Sequence, residues 1–212
     1  MKQFIDLEHW KRKEHFEFFS ALDDPFFGIT TLVDFTDIYK RSKEERKSFF
    51  LYSVHFLLKC INETTAFKLR IEDDQVVQYD FIHVSPTIGR EDGTFGFGFF
   101  EYNADFDVFV QNAEKEIERV RNVGGLSFSE NTKRTDLIRY LALPWFAFSE
   151  MKHAVSFGKG DFVPRISTGK LVKEGNRYLL PVSISVHHAL VDGRDVAELI
   201  EKLEMVNKIN GI

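Results

Sequence analysis

The chain has 212 residues, of which 43% are hydrophobic and 29% charged, a balance typical of one globular domain with a substantial core. Its formal net charge of −5 argues against nucleic acid as a partner, because binding to phosphates needs a basic surface. No apolar run approaches the roughly 18 residues of a membrane helix, residues 1–8 lack the apolar centre of a signal peptide, and the single cysteine excludes an internal disulfide. We therefore expect a soluble cytoplasmic protein that binds neither membranes nor nucleic acid.

The first part of the chain predicts helices on both sides of a strand. Residues 8–22 have apolar side chains at approximate helical spacing, and Pro25 follows the end of that helix. Residues 26–35 are predicted as a strand, and residues 36–63 as a long helical stretch that is charged at its start and apolar in its second part. His55 lies in the apolar part with no partner nearby in sequence, so it is interpreted as a packed or hydrogen-bonded residue rather than a ligand.

The rest of the chain predicts short strands and two amphipathic helices. In chain order these are a hairpin over 67–72 and 75–80, strands over 82–88 and 95–100, a helix over 104–121, a short helix or turn over 135–141, a short strand over 143–148, a hairpin over 162–172 and 177–186, and a helix over 194–208. The glycines of 95–100 resemble a phosphate-binding loop, but no Lys-Ser/Thr follows them, so a strand is preferred. Helices and strands mix without regular βαβ alternation, which predicts the α/β class: a single domain, residues 1–212, in which helices cover a mixed sheet.

The strongest candidate site lies at the end of the last strand, in Ser183–Gly193. Alternating apolar and polar residues lead into His187 and His188, and Asp192 and Gly193 follow. Neighbouring strand residues point to opposite faces, so the two histidines cannot serve one site, and no metal site is expected. A histidine that titrates near neutral pH is a natural general base for a hydroxyl. The pattern favours catalysis over the alternative of a packed histidine beside an Asp-Gly turn.

Four stretches resemble the chloramphenicol acetyltransferase family, and the H-H-x-x-x-D-G form is shared with the wider superfamily of CoA-dependent acyltransferases. The resemblance covers essentially the whole chain. The stretches are, in order, Trp10-Lys11-Arg12-Lys13-Glu14-His15-Phe16, Ala142-Leu143-Pro144-Trp145, the hairpin Ile166–Lys170 with Glu174-Gly175-Asn176 and Leu180-Pro181, and His187–Gly193. The resemblance implies a two-layer fold of that family. It also implies acetyl-CoA as co-substrate with no permanently bound cofactor, a small hydroxyl-bearing acceptor, and a homotrimer with active sites between subunits.

The resemblance also implies a mechanism. His188 is the general base that takes the proton of the acceptor hydroxyl as this attacks the thioester, and no acyl-enzyme forms. Cys60 is then not needed as a nucleophile. Asp192 pairs with Arg12 and holds the active-site turn, for which a carboxylate–guanidinium pair is well suited. Without the resemblance, Arg12 would be interpreted as a solvated helix charge.

Four further residues are implied in substrate binding. Ser167 lies where the family has a threonine whose hydroxyl helps to bind the intermediate through water. Trp145 matches a tryptophan near the CoA channel, although a core position is equally compatible with the sequence. Phe18 and Phe19 are candidates for the acceptor pocket.

Three positions depart from the family pattern. Leu141 stands where the family has a serine that donates to the oxyanion, and loss of one such donor costs about 10²–10³ in turnover. Phe19 stands where the family has a tyrosine that contacts chloramphenicol. Leu171 stands where the family often has a tyrosine beside the CoA channel. Two hypotheses therefore stay open: an O-acetyltransferase acting on chloramphenicol or a similar small hydroxyl compound, and a catalytically impaired or non-catalytic protein that binds ligand or serves in assembly.

Overall fold

The computed structural model of the chain describes residues 1–154 and 161–209, with side chains described up to residue 205. Within these residues the α-helices are α1 (Lys13–Ser20), α2 (Thr36–Glu44), α3 (Phe49–Asn62), α4 (Phe106–Asn122) and α5 (Gly193–Ile209). The strands are β1 (Lys2–Phe4), β2 (Phe26–Asp34), β3 (Leu69–Glu72), β4 (Gln75–Tyr79), β5 (His83–Gly89), β6 (Phe95–Phe97), β7 (Leu137–Ala142), β8 (Arg165–Thr168), β9 (Val172–Glu174) and β10 (Arg177–His187). Short 3₁₀ turns precede α1, β3 and β7.

A mixed sheet dominates the architecture. Its strand order is β2-β10-β8-β7-β5-β6, with β9 paired to β10, and β1, β4 and β3 form a small separate sheet. The β5–β7 and β7–β8 pairs are parallel and the other pairs are antiparallel. Helices α2, α4 and α5 pack against strands of the large sheet, and α3 packs against the other three helices. The predicted α/β class with a mixed sheet covered by helices is confirmed.

The two faces of the large sheet differ in polarity. Val182, Ile184 and Val186 of β10 are buried in the core under the helices. Because successive strand residues alternate, Ser183, Ser185 and His187 lie on the opposite face. Their partners in the register continue this polar face: Ser183 pairs with Ser167, and Ser185 pairs with Arg165. We call this side the polar face of the sheet.

The predicted helical stretch over 36–63 is two helices in the structure. Residues 45–48 separate α2 from α3, and Arg46 has a backbone φ of 53°, which lies outside the helical region. Ser48 caps the next helix, its hydroxyl accepting from the backbone N–H of Leu51 at 3.4 Å. The charged first part and the apolar second part of the stretch belong to different helices. The first predicted helix, over 8–22, is likewise shorter in the structure, with a 3₁₀ turn at Leu7–His9 before α1.

The short helix or turn predicted over 135–141 is wrong, and so is the strand predicted over 143–148. Leu137–Ala142 is β7, a central strand with parallel neighbours on both sides, whereas residues 143–148 form a loop. Leu137, Ile138 and Tyr140 are all buried, so the segment is apolar on both faces and has no period-2 signal. A short apolar run of this kind cannot be assigned by periodicity alone.

His55 is packed and hydrogen-bonded, as predicted. Its Nε2 lies 2.9 Å from the carbonyl oxygen of Asn103, and its ring packs among Tyr102, Phe106 and Phe109. Burial lowers the pKa of His55, which keeps the ring neutral in this aromatic setting.

Candidate active site

The turn after β10 is fixed to the start of α5 by reciprocal capping. One carboxylate oxygen of Asp192, Oδ1, accepts from the backbone N–H groups of Arg194 at 2.8 Å and Asp195 at 3.2 Å. The Asp195 carboxylate in turn accepts from the backbone N–H of Asp192 at 2.8 Å. This is the capping-box arrangement with Asp in the place of Glu, and it satisfies backbone donors at the helix start that have no partner within the helix. The backbone that carries the two histidines therefore runs directly into a rigid helix end.

Arg12, at the start of α1, binds this turn from the other side. Its guanidinium donates to Oδ2 of Asp192 and, through Nη2, to the carbonyl oxygen of His188 at 3.3 Å. Nη1 also lies 3.6 Å from the Asp195 carboxylate. Burial by itself raises the pKa of Asp192, but the bonds from Arg12 and from the two backbone N–H groups outweigh it and hold that pKa below its usual value. The Arg12–Asp192 contact implied by the resemblance is present in the structure.

The His188 ring lies between two phenylalanines. Phe19 of α1 stacks on it with a centroid separation of 3.9 Å and an interplanar angle of 12°, and Phe27 of β2 lies at 4.6 Å. The backbone N–H of His188 donates to the carbonyl of Pro25 at 2.8 Å. Its Nδ1 is buried with no hydrogen-bond partner among the described residues. The ring is thus positioned by packing between the two phenylalanines.

His187 points away from His188, as strand alternation predicts. It is 3% exposed and its ring contacts those of Phe26 and Phe162, each at 5.4 Å. Its Nδ1 accepts from the backbone N–H of Ala189 at 3.3 Å, which requires an unprotonated nitrogen. Burial lowers the pKa of His187 to about 4, so the ring is neutral at neutral pH. This residue stabilises the strand end.

Ser167 lies on the polar face, apart from His188. It is fully buried, and its hydroxyl lies 2.8 Å from Nε2 of His153, in the segment after β7. Leu141 is its register partner on β7, so the leucine side chain lies directly beside the Ser167 hydroxyl. In the described part of the chain, no hydrogen bond or ring contact joins His188 to Ser167, because the two side chains belong to opposite sides of the sheet.

A cavity of about 450 Å³ lies on the polar face beside His153. Its lining comes from the first half of β2, from Ser185 of β10 and from the segment before residue 154, and includes Phe26, Gly28, Thr30, Ser149, Lys152 and His153. Its size is in the range of small-ligand sites.

The two other candidates, Trp145 and Phe18, and the single cysteine make no hydrogen bond or ring contact with His188 among the described residues. Trp145 is 72% exposed in the loop after β7, so it is not a core residue of this chain. Phe18 is 63% exposed and touches Phe19 edge-on at 5.1 Å. Cys60 is buried in α3, and burial raises the pKa of its thiol to about 12, which leaves it protonated and a poor nucleophile. Among the described residues no three His, Cys, Asp or Glu side chains come together as metal ligands, and no helix is long and apolar enough to cross a membrane.

Comparison with known proteins decides the family. A family model for chloramphenicol acetyltransferase matches residues 2–204. The chain belongs to the chloramphenicol acetyltransferase family. The "Chloramphenicol acetyltransferase 3" of Escherichia coli is 30% identical over 201 residues, covering 94% of each chain, and the "Chloramphenicol acetyltransferase 2" of Haemophilus influenzae is 27% identical and covers 95% of each chain.

Solved structures agree with this result. A chloramphenicol acetyltransferase superposes with a TM-score of 0.90 at 32% identity and covers 97% of this chain and 99% of its own. A dihydrolipoamide acetyltransferase of Azotobacter vinelandii has a TM-score of 0.69 at 13% identity, which shows the shared fold alone. The enzyme class predicted from the resemblance, acyltransferase, is confirmed by the family.

Two residues that the structure brings into these sites were not among the candidates predicted from the sequence. Asp195 follows Asp192 at the three-residue spacing of a capping box, and this signal was available in the sequence. His153 stands in an irregular segment with no motif around it, so only the fold reveals that it bonds Ser167.

Proposed function

We propose that the chain transfers the acetyl group of acetyl-CoA to a hydroxyl of chloramphenicol or a similar small molecule. The observation that carries the proposal is the His188 ring, held between Phe19 and Phe27 with its backbone carbonyl bound by Arg12. A base fixed in this way needs no reorganisation before it accepts a proton. The single cysteine suits a reducing compartment, and the chain is proposed to act in the cytoplasm.

In the proposed reaction, Nε2 of His188 takes the proton of the acceptor hydroxyl as the oxygen attacks the thioester carbonyl. The carbon–oxygen bond forms, and the carbonyl electrons move to the oxygen of a tetrahedral intermediate. When that intermediate collapses, the carbon–sulfur bond breaks and the CoA thiolate takes the proton from the imidazolium. No bond to the protein forms, which agrees with the buried, protonated thiol of Cys60. Acetyl-CoA is a co-substrate, and no permanently bound cofactor is part of the proposal.

Arg12 and Asp192 act on the position of the base in this scheme, not on the proton. The Asp192 carboxylate binds the guanidinium, and the guanidinium binds the carbonyl of His188. These contacts hold the active-site turn against α1 and α5. Phe19 and Phe27 give the base an apolar setting, with Phe18 at the exposed edge of the same helix.

The site is proposed to form between two chains of a homotrimer. In one chain His188 and the Ser167 region lie on opposite sides of the sheet, so one protomer does not place the base beside the polar face. A neighbouring chain that presents its polar face to His188 completes the constellation. Ser167 then helps to bind the intermediate, and the exposed Trp145 is available to the CoA channel.

The test is release of the CoA thiol from acetyl-CoA, with and without chloramphenicol, on the wild type and on His188→Ala. We expect release that depends on chloramphenicol and that falls by at least about 10³-fold in the variant, because the general base is lost. His15→Ala is the matched control, since His15 is an exposed histidine on α1 with no hydrogen bond or ring contact to His188 among the described residues. Undiminished release by His188→Ala contradicts the mechanism.

The non-catalytic alternative predicts that acetyl-CoA binds without turnover. Its motivating observation is Leu141, which places alkyl carbons where the family has a hydroxyl. The family comparisons give it no support, since the matched relatives are named as acetyltransferases. Binding of acetyl-CoA without thiol release for any hydroxyl acceptor would favour it.

A further inference from the structure

Ser167 and Leu141 lie side by side where the intermediate is proposed to bind. They are register partners on the parallel strands β7 and β8, so their side chains project from the same face. The resemblance implies one hydroxyl at each of these two positions. In this chain only Ser167, of these two residues, has a hydroxyl. Stabilisation of an oxyanion from these positions therefore depends on the orientation of the Ser167 hydroxyl.

The orientation of the Ser167 hydroxyl is set by His153. Nε2 of His153 lies 2.8 Å from Oγ of Ser167, and within residues 1–154 and 161–209 no other hydrogen bond to that oxygen is found. Ser167 is fully buried, whereas His153 is half-buried and lines the cavity on the polar face. His153 therefore stands between Ser167 and the space in which a ligand fits.

The electrostatic surroundings indicate which group donates in this bond. Burial lowers the pKa of His153, and the positive charge of Arg165 lowers it further, so the ring is neutral at neutral pH and one nitrogen carries the hydrogen. Nδ1 of His153 and Nη1 of Arg165 are both buried without a partner among the described residues. A lone pair on Nδ1 is favoured in the field of the guanidinium, whereas an N–H there adds a second unpartnered donor. This favours a hydrogen on Nε2.

We propose that His153 is a positioning residue for acyl transfer: its Nε2–H donates to Ser167, so the hydroxyl oxygen accepts and the hydroxyl hydrogen is left to donate toward the oxyanion of the intermediate. One oriented hydroxyl then offsets part of the loss of the donor at Leu141. The contact with the intermediate runs through water, as the resemblance implies for this position, since Ser167 lies behind the His153 ring. The inference rests on the proposed function, because the oxyanion arises only in that reaction.

Kinetics on His153 variants test the proposal. His153→Leu removes the donor at similar size, and we expect kcat to fall about tenfold or more while both KM values stay within about threefold, because the oxyanion arises only after substrates bind. His153→Gln keeps an N–H donor on a side chain of similar reach and should recover most of kcat. Combining His153→Leu with Ser167→Ala should cost no more than Ser167→Ala alone, since both remove the same bond. Wild-type kcat in His153→Leu, or losses that multiply in the double variant, overturn the proposal.

Nitrogen-15 NMR of the histidine rings tests the bond without turnover. We expect the His153 ring to be protonated on Nε2 in the wild type and its signals to move in Ser167→Ala. A ring protonated on Nδ1 means that Ser167 donates to His153, and it overturns the proposal. His15→Leu is the control for both experiments.

The same data separate this proposal from the proposed function. If thiol release depends on His188 but is unaffected at His153, only the His153 proposal fails. If chloramphenicol and other hydroxyl acceptors give no release at all, the proposed function fails, and with it the assignment of the Ser167 hydrogen to an oxyanion. The spectrum then still decides which group donates in the His153–Ser167 bond.

Discussion

At the scale of single residues, strand geometry gives the two adjacent histidines, His187 and His188, different environments and different roles. His187 is buried against Phe26 and Phe162 and accepts a backbone N–H, whereas His188 stacks on Phe19. The two side chains are chemically identical but lie in different environments, because successive residues along β10 point to opposite faces of the sheet. One histidine stabilises the strand end and the other is the proposed base.

His187 should make stability depend on pH. Its pKa of about 4 in the folded state lies below the unfolded value of about 6.5, so its contribution is fully present above about pH 6.5. As pH falls toward 4, only the unfolded state takes up the proton, and folding loses on the order of 3 kcal/mol. Urea unfolding at pH 7 and pH 5 should therefore show a steep loss in the wild type and a smaller one in His187→Asn, whose amide oxygen can accept from Ala189. His15→Asn is the control. If the free energy of unfolding falls equally between pH 7 and pH 5 in His187→Asn and in the wild type, the pH dependence does not come from His187.

A substitution at Leu141 measures how much turnover is lost because this position has no hydroxyl to donate to the oxyanion. Leu141→Ser places a hydroxyl beside Ser167, and we expect kcat to rise about tenfold or more with little change in KM, since a new donor stabilises only the developing charge. The half-buried position accepts the smaller side chain at a modest cost in stability. The readout is thiol release at saturating acetyl-CoA. An unchanged kcat means that position 141 does not face the reacting oxygen.

At the scale of elements, one buried side chain joins the small sheet to the large one. The guanidinium of Arg70 on β3 donates to the carbonyl oxygens of Phe67, Leu69, Thr135 and Leu137 at 2.6–2.9 Å. Burial lowers the pKa of Arg70 to about 10, so the group is still charged at neutral pH. Carbonyl dipoles surround this charge and tie β3 to the start of β7.

Arg70→Met should be strongly destabilising, because it leaves these carbonyl oxygens in a buried region without their donors. We expect a loss of about 3 kcal/mol or more in the free energy of unfolding, and a smaller loss for Arg70→Lys, which keeps a charged donor. Arg177→Met is the control, because Arg177 is exposed on β10 and its ion pairs should contribute less than about 1 kcal/mol. A change below about 1 kcal/mol in Arg70→Met, measured by urea unfolding, would show that the carbonyls find other donors.

At the scale of the whole molecule, the central feature is the separation of the two halves of the site. The proposed base His188, with Arg12 and Asp192, lies at the end of β10 against α1, and the Ser167–His153 pair with its cavity lies on the polar face. In the proposed homotrimer, a second chain brings one half against the other. Light scattering should then give three times the 24.7 kDa of one chain.

Mixed oligomers test the shared site directly. His188→Ala lacks the base, and Ser167→Ala lacks the proposed hydroxyl, so each variant alone should have reduced activity. When both chains are co-expressed, sites that combine His188 of one chain with Ser167 of another are intact, and activity should exceed the mean of the two pure variants. Activity equal to that mean indicates that each site is built from a single chain. A monomer in light scattering would likewise contradict a site shared between chains.

Local signals in the sequence were sufficient for the features that depend on neighbouring residues. The apolar face of α4, the hairpin around Asp73 and Asp74, and the strand that ends at His187 all follow from periodicity and turn residues. The four motif stretches were sufficient for the family, since each preserves its residues at fixed spacing. The opposite orientations of His187 and His188 also follow from strand alternation alone.

Only the tertiary structure decided the features that depend on distant contacts. Residues 137–142 form a strand because β5 and β8 pair with them, and their short apolar run has no period that reveals this. His153 meets Ser167 because the segment after β7 folds back over β8. Hydrogen-bond partners and the side of the sheet on which a group lies arise from pairing between segments far apart in sequence. For that physical reason the sequence by itself determined the family and the candidate base, and the fold decided where the second half of the site lies.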